Sequence, residues 1–135
     1  MIVPAGHSGE SSGSEQFLPY PGNWARIING DSNGQTDLNG LVLSDALGRG
    51  SICAIKPVAL LQLDSAGITK DIIIAVPIDS TIRTIEIDGL VDLLTDHEPA
   101  RHILQTWFVN HRGFGSFEFS GWRDEDAAMK RIRRQ

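Results

Sequence analysis

Two long apolar runs joined by a turn constrain this chain more than anything else in it. Ser51 to Leu63 is rich in Ile, Val and Leu, Asp64-Ser65-Ala66-Gly67 supplies turn residues, and Ile72-Ile73-Ile74-Ala75-Val76 is nearly all β-branched. β-Branched side chains fit a pleated surface and crowd a helix, so the segment predicts strand, turn, strand, with an antiparallel pair as the simplest outcome. Pro57 interrupts the first run. It has no amide proton for a ladder hydrogen bond, so it belongs at a bend, a bulge or an edge, and long curved strands with such breaks suit a barrel. Leu41-Val42-Leu43 predicts a shorter strand upstream.

The remaining segments are read from caps and spacing. Ala5 to Gln16 is mostly Gly, Ser, Glu and His, which bury too little apolar area to offset the entropy of ordering, so residues 1–16 are expected to form a flexible arm. Residues 17–135 are expected to form a single domain. Pro19, Pro21, Gly22, Gly30 and Gly34 predict turns between Phe17 and Asn39. Ile82, Ile85 and Ile87 interleave with polar residues, as an extended loop or a short strand. A helix is expected from Asp96 as N-cap, with Pro99 in its first turn and an apolar stripe of Ala100, Ile103, Leu104, Trp107 and Phe108. Phe117-Glu118-Phe119 predicts a short strand, and a last helix from about Asp124 runs from acidic to basic, in the sense that the helix dipole favours.

Composition excludes several roles. The 135 residues carry 12 Lys plus Arg against 17 Asp plus Glu, a net charge of -5, so no global positive field draws the chain to nucleic acid or anionic lipid. The longest apolar stretch, Ile72 to Ile78, has seven residues, far below the roughly 20 of a membrane span. Cys53 is the single cysteine, which excludes an internal disulfide and fits a reducing compartment. With an amino terminus lacking a basic start and an apolar signal core, the expected location is the cytoplasm. His97 and His102 are five residues apart, about 140° around a helix, so they do not converge on a metal. Lys130-Arg131-Arg133-Arg134 is a basic tail that can touch anionic partners or simply be solvated.

Several strings, in order, resemble the soluble family I inorganic pyrophosphatases. Tyr20-Pro21-Gly22-Asn23-Trp24 is similar to the family's Tyr-Pro-x-Asn-Tyr-Gly segment, and Lys56-Pro57-Val58-Ala59-Leu60-Leu61 to its Arg-Pro-hydrophobic-Gly-hydrophobic-Leu strand. Asp64-Ser65-Ala66-Gly67 resembles Asp-Glu-Ala-Gly, and Ile74-Ala75-Val76-Pro77 the family's hydrophobic-Ala-Val-Pro. Trp107-Phe108-Val109-Asn110-His111-Arg112 looks like its Phe-Phe-x-x-Tyr-Lys helix end, and Gly121-Trp122 like the start of its final helix. The resemblance covers roughly Phe17 to Arg133. It implies an α+β chain, mainly β: an OB-like antiparallel β-barrel of the pyrophosphatase type, with two helices near the C-terminus.

It also implies magnesium-dependent hydrolysis of pyrophosphate, for which clustered carboxylates hold hard cations while Tyr, Lys and Arg hold phosphate oxygens. The family signature Asp-Gly-Asp-Pro-hydrophobic-Asp aligns with Gly34-Gln35-Thr36-Asp37-Leu38-Asn39, so all three signature aspartates are replaced and Asp37 stands one residue out of register. Asp37 is therefore the remaining catalytic candidate. Asp64 matches the first aspartate of the second acidic segment, and Asp71 the second if the turn is realigned; both are candidate magnesium ligands, with turn formation and solvation as their structural alternatives. Tyr20, His111 and Arg112 are the candidate phosphate ligands; Tyr20 is equally readable as a packed aromatic and Arg112 as a complement to a helix dipole.

The family's early strands, with their Glu, Lys and Arg site residues, have no counterpart, so another subunit is expected to cover the exposed edges, giving a homo-oligomer. The expected function is that of a divergent, shortened family member with a degenerate site, its hydrolysis lost or strongly weakened, acting as a binding or assembly protein. The alternative is a weak inorganic diphosphatase that retains magnesium and binds pyrophosphate or phosphate.

Overall fold

The computed structural model describes residues 22–28, 38–44, 47–48, 50, 52–83, 86–110 and 117–134. The continuous run of β-branched residues at Ile72–Val76 lies in β4 (Ile68–Pro77), which pairs antiparallel with β3 (Ile55–Ser65). Alternate side chains of a strand point to opposite faces. Ile72, Ile74 and Val76 accordingly enter one core cluster and Ile73 and Ala75 the other. An uninterrupted apolar run thus becomes a central strand covered on both faces, where an alternating pattern would have left one face to water.

Around this pair lie β1 (Asn23–Arg26), β2 (Asn39–Val42) and β5 (Glu118–Arg123), in the order β1-β2-β4-β3-β5. The β1–β2 and β3–β5 pairings are antiparallel, but β2 pairs with β4 in parallel. The sheet is therefore mixed, where a wholly antiparallel barrel was expected. Because β4 lies between β2 and β3, the β3–β4 hairpin presents its second strand to β2, and that strand runs in the same direction as β2. No pairing among the described residues joins β1 to β5. Pro57 falls where the β3–β4 register shifts between Pro57 and Ala59, the bulge its missing amide proton requires.

α1 (Leu90–Thr95) and α2 (Glu98–Asn110) pack on one face through Leu93, Leu104, Trp107 and Phe108; α3 (Glu125–Arg133) packs on the other through Ala128 and Ile132. The stripe on α2 differs from expectation, because Ile103 is 59% exposed. It stands about 100° around the helix from Leu104, and the buried arc turns instead toward Arg101 and Gln105, both half-buried. Asp96 does not cap α2; it closes α1 through its N–H to Asp92 O, and the His97 carbonyl accepts the Arg101 N–H. α3 begins as predicted, with Asp124 accepting the Ala127 N–H at 2.9 Å. Ile82 ends a 3₁₀ turn, Ser80–Ile82, rather than a strand.

Asn23, from the first resembling string, has a structural task. Buried in β1, it donates to Ser44 Oγ at 2.9 Å and accepts the Leu47 N–H at 3.1 Å, fastening the segment after β2 to the sheet edge. Between β3 and β4 the turn is two residues long, Ala66 at φ 52° and Gly67 at φ 82°. Both lie in the left-handed region that primed hairpin turns need. Glycine enters that region freely, whereas an alanine there costs about 1 kcal/mol. Ala66→Asn, which creates the favoured Asn-Gly pair, is expected to raise stability by about 0.5–1 kcal/mol. Urea denaturation measures this, and an unchanged or lower midpoint would contradict the turn geometry.

Candidate functional site

Asp64 and Asp71, the two candidate metal ligands within the described residues, come from opposite arms of the β3–β4 hairpin. Gln62 pairs with Asp71 and Asp64 with Thr69. Residues 62 and 64 share a face because they are two apart on one strand, so the sheet brings both carboxylates to the same side on neighbouring ladder steps. That side is the one covered by α3. Lys70 points the other way, its Nζ lying 5.6 Å from the centre of the Phe117 ring.

The carboxylates differ in their partners. Asp64 Oδ1 accepts the Thr69 hydroxyl at 2.8 Å near the turn end of the hairpin. Asp71 is held on both oxygens: Gln62 Nε2 donates to Oδ1 at 3.1 Å, and Arg131 Nε of α3 donates to Oδ2 at 2.9 Å. The Arg131 and Asp71 side chains are only 24% and 19% exposed, so screening of this pair is reduced. Sequence reasoning missed Arg131 and Gln62 as its partners. Arg131 stands 60 residues away, and only its place on the helix face that also carries Ala128 (i, i+3) could have suggested it.

Tyr20, Asp37, His111 and Arg112 lie outside the described residues. Of the segment aligned with the acidic signature, Leu38 is buried and Asn39 opens β2. His97, which does not converge with His102, donates from Nε2 to the Glu86 carbonyl at 2.9 Å. Two surface carboxylates are held below the usual range: Asp88 by its hydrogen bond and charge attraction to Lys56, and Asp79 chiefly by the Thr81 hydroxyl and amide.

A cluster of magnesium ions needs several carboxylates with free lone pairs and no competing cation. Among the described residues, no group of three or more His, Cys, Asp or Glu side chains could hold a metal ion. Asp71 also already faces a guanidinium, and Asp37, the third carboxylate expected nearby, lies outside the described residues.

The mixed sheet with two helices on one face and a C-terminal helix on the other is the fold of soluble inorganic pyrophosphatases. The Thermus thermophilus enzyme structure superposes with a TM-score of 0.69 at 24% identity, over 86% of this chain and 68% of that one. The Helicobacter pylori enzyme gives 0.61 at 22% identity, over 87% and 70%, and the Neisseria gonorrhoeae enzyme 0.65 at 18%, over 86% and 68%. The inorganic pyrophosphatase family model matches residues 14–135, and the chain belongs to that family. No curated protein matches it in sequence. No helix among the described residues is long and apolar enough to cross a membrane.

Proposed function

We propose that this chain is a pyrophosphatase-family protein in which magnesium-dependent diphosphate hydrolysis is lost or strongly weakened, and that it serves as a binding or assembly protein. The observation that carries this reading is the Asp71–Arg131 pair at 2.9 Å. A guanidinium on the carboxylate meets the charge requirement that a divalent cation would otherwise meet, and it repels that cation. Gly34, Thr36 and Asn39 at the positions aligned with the signature aspartates reduce the charge supply further. On this reading Asp64 is a turn residue bonded to Thr69, residues 17–135 act as one domain, and self-association covers the sheet edges.

A second reading rests on a different observation, the common face of Asp64 and Asp71. In it the two carboxylates, with Asp37, hold magnesium for weak hydrolysis while Arg112, His111 and Tyr20 bind phosphate.

Phosphate release from diphosphate with magnesium separates the two. Turnover is expected at least about a thousandfold below that of an active family member, the scale on which removal of charge-stabilising groups acts. Turnover within tenfold of an active member would refute the proposal. A slow activity abolished by Asp64→Asn would establish the second reading, and light scattering measures the expected assembly.

A further inference from the structure

In the basic tail Lys130, Arg133 and Arg134 are exposed, and they gather beside one concavity. α3 lies along β3, and beside it is an open cavity of about 460 Å³ lined by Arg123 from β5, Lys130, Arg133 and Arg134 from the end of α3, and Leu60 and Gln62 from β3. No carboxylate is among the described residues that line it. Of the carboxylates in the neighbourhood, Asp71 is engaged with Arg131, Asp88 with Lys56 and Glu125 with the Leu90 N–H at the start of α1. Arg123, Lys130, Arg133 and Arg134 make no ion pair with a described carboxylate, whereas Lys56, Arg83, Arg101 and Arg131 each make one.

A chain of net charge -5 therefore concentrates around one concavity four cations that have no ion-pair partner among the described residues. Their mutual repulsion is a standing cost in the free protein. The carbonyl end of α3 adds about half a negative charge nearby, too little to balance four cations. A bound anion would balance them, and the guanidinium fork matches phosphate oxygens.

We propose that this cleft binds a small, multiply charged phosphate ester or anhydride, its phosphoryl groups on Arg123, Lys130, Arg133 and Arg134 and its remainder against Leu60. The volume exceeds that of a bare phosphate and suits a nucleotide-sized molecule. The net charge of the chain opposes RNA and anionic membranes as occupants. The neighbouring cavity on α3, which Lys130 and Arg133 also line, is mixed in charge, with Lys56 beside Asp88, Glu125 and Asp126. The proposal does not depend on whether hydrolysis survives, since the ligand sits on cations outside the family's acidic signature.

The test is isothermal titration calorimetry of the full chain with inorganic diphosphate and with ADP, without magnesium, at two salt concentrations. Saturable one-to-one binding that weakens with salt is expected, falling at least tenfold in the doubly substituted Arg123→Gln/Arg133→Gln protein and unchanged in Arg26→Gln, at the far edge of the sheet. Lys130→Gln/Arg134→Gln is a second exposed pair that should weaken binding independently. Absence of saturable binding to both probes, or equal affinity in both doubly substituted proteins, would overturn the proposal. So would saturable binding only to phosphatidylglycerol vesicles or single-stranded RNA, which would assign the cleft to a macromolecular surface.

Discussion

Phe108→Ala is expected to lower stability by about 3–5 kcal/mol, the range for emptying a buried aromatic site. Phe108 is fully buried, packs edge-on against Trp107 at 4.8 Å between ring centres, and lies 5.9 Å from Trp24 of β1. It is the point at which α2 grips the sheet, and few neighbours can collapse into the vacated space because Trp107 and Trp24 are themselves wedged against it. Equilibrium urea unfolding measures the loss, with Phe108→Leu as the comparison that retains most of the volume and is expected to cost less. A loss below about 1 kcal/mol for the alanine protein would mean that α2 does not dock on the face bearing Leu61, Leu63 and Ile74.

Gly40→Ala carries the second large effect, and its sign is informative. In a strand interior, exchanging glycine for alanine ordinarily gains about 0.5–1 kcal/mol, because the unfolded chain loses freedom. Here a Cβ on residue 40 would stand 2.7 Å from the Ile73 carbonyl oxygen and 2.8 Å from Ile27 Cδ1. The carbonyl belongs to β4, the parallel neighbour of β2, and cannot retreat without stretching that ladder. The expected outcome is a loss of about 2–3 kcal/mol, the upper part of the range for overpacking, with Gly40→Val worse. Denaturation midpoints decide it: a gain would show that β2 and β4 are farther apart than described.

The parts of the fold legible in the sequence are those governed by local chemistry. Pro57 announces its bulge because a missing amide proton has the same consequence in any sheet. Asp64 to Gly67 contains the hairpin turn, and Asp124 caps the last helix, because both depend on residues within three or four positions. Register and direction are not local. Nothing between Leu41 and Leu43 shows that their partner is β4 rather than β3, so the parallel pairing was missed. α1 was missed because Leu90-Val91-Asp92-Leu93-Leu94 is too short for a helical period to declare itself. Asp96 was assigned to the wrong helix because it stands between two.

The candidate site divides the same way. The replaced aspartates and the surviving Asp64 are visible along the chain, but the commitment of Asp71 is not. An ion pair across 60 residues depends on where α3 lands, and that is decided by Ala128 and Ile132 finding Leu60, Ile73 and Ala75. Likewise Lys130-Arg131-Arg133-Arg134 looks like one basic run, yet folding gives Arg131 to a carboxylate and leaves the others around a cavity.

The side-by-side run of β2 with β4 has a consequence for biosynthesis. Asn39 and Ile72 are register partners 33 positions apart (72 minus 39), so the ribosome has released β2 well before the strand that must flank it emerges. A two-stranded ribbon of four residues per strand is marginal in water. The β1–β2 ribbon therefore has no stable partner until β4 emerges, and the β3–β4 hairpin, whose strands are adjacent in the chain, is the natural seed onto which it later condenses.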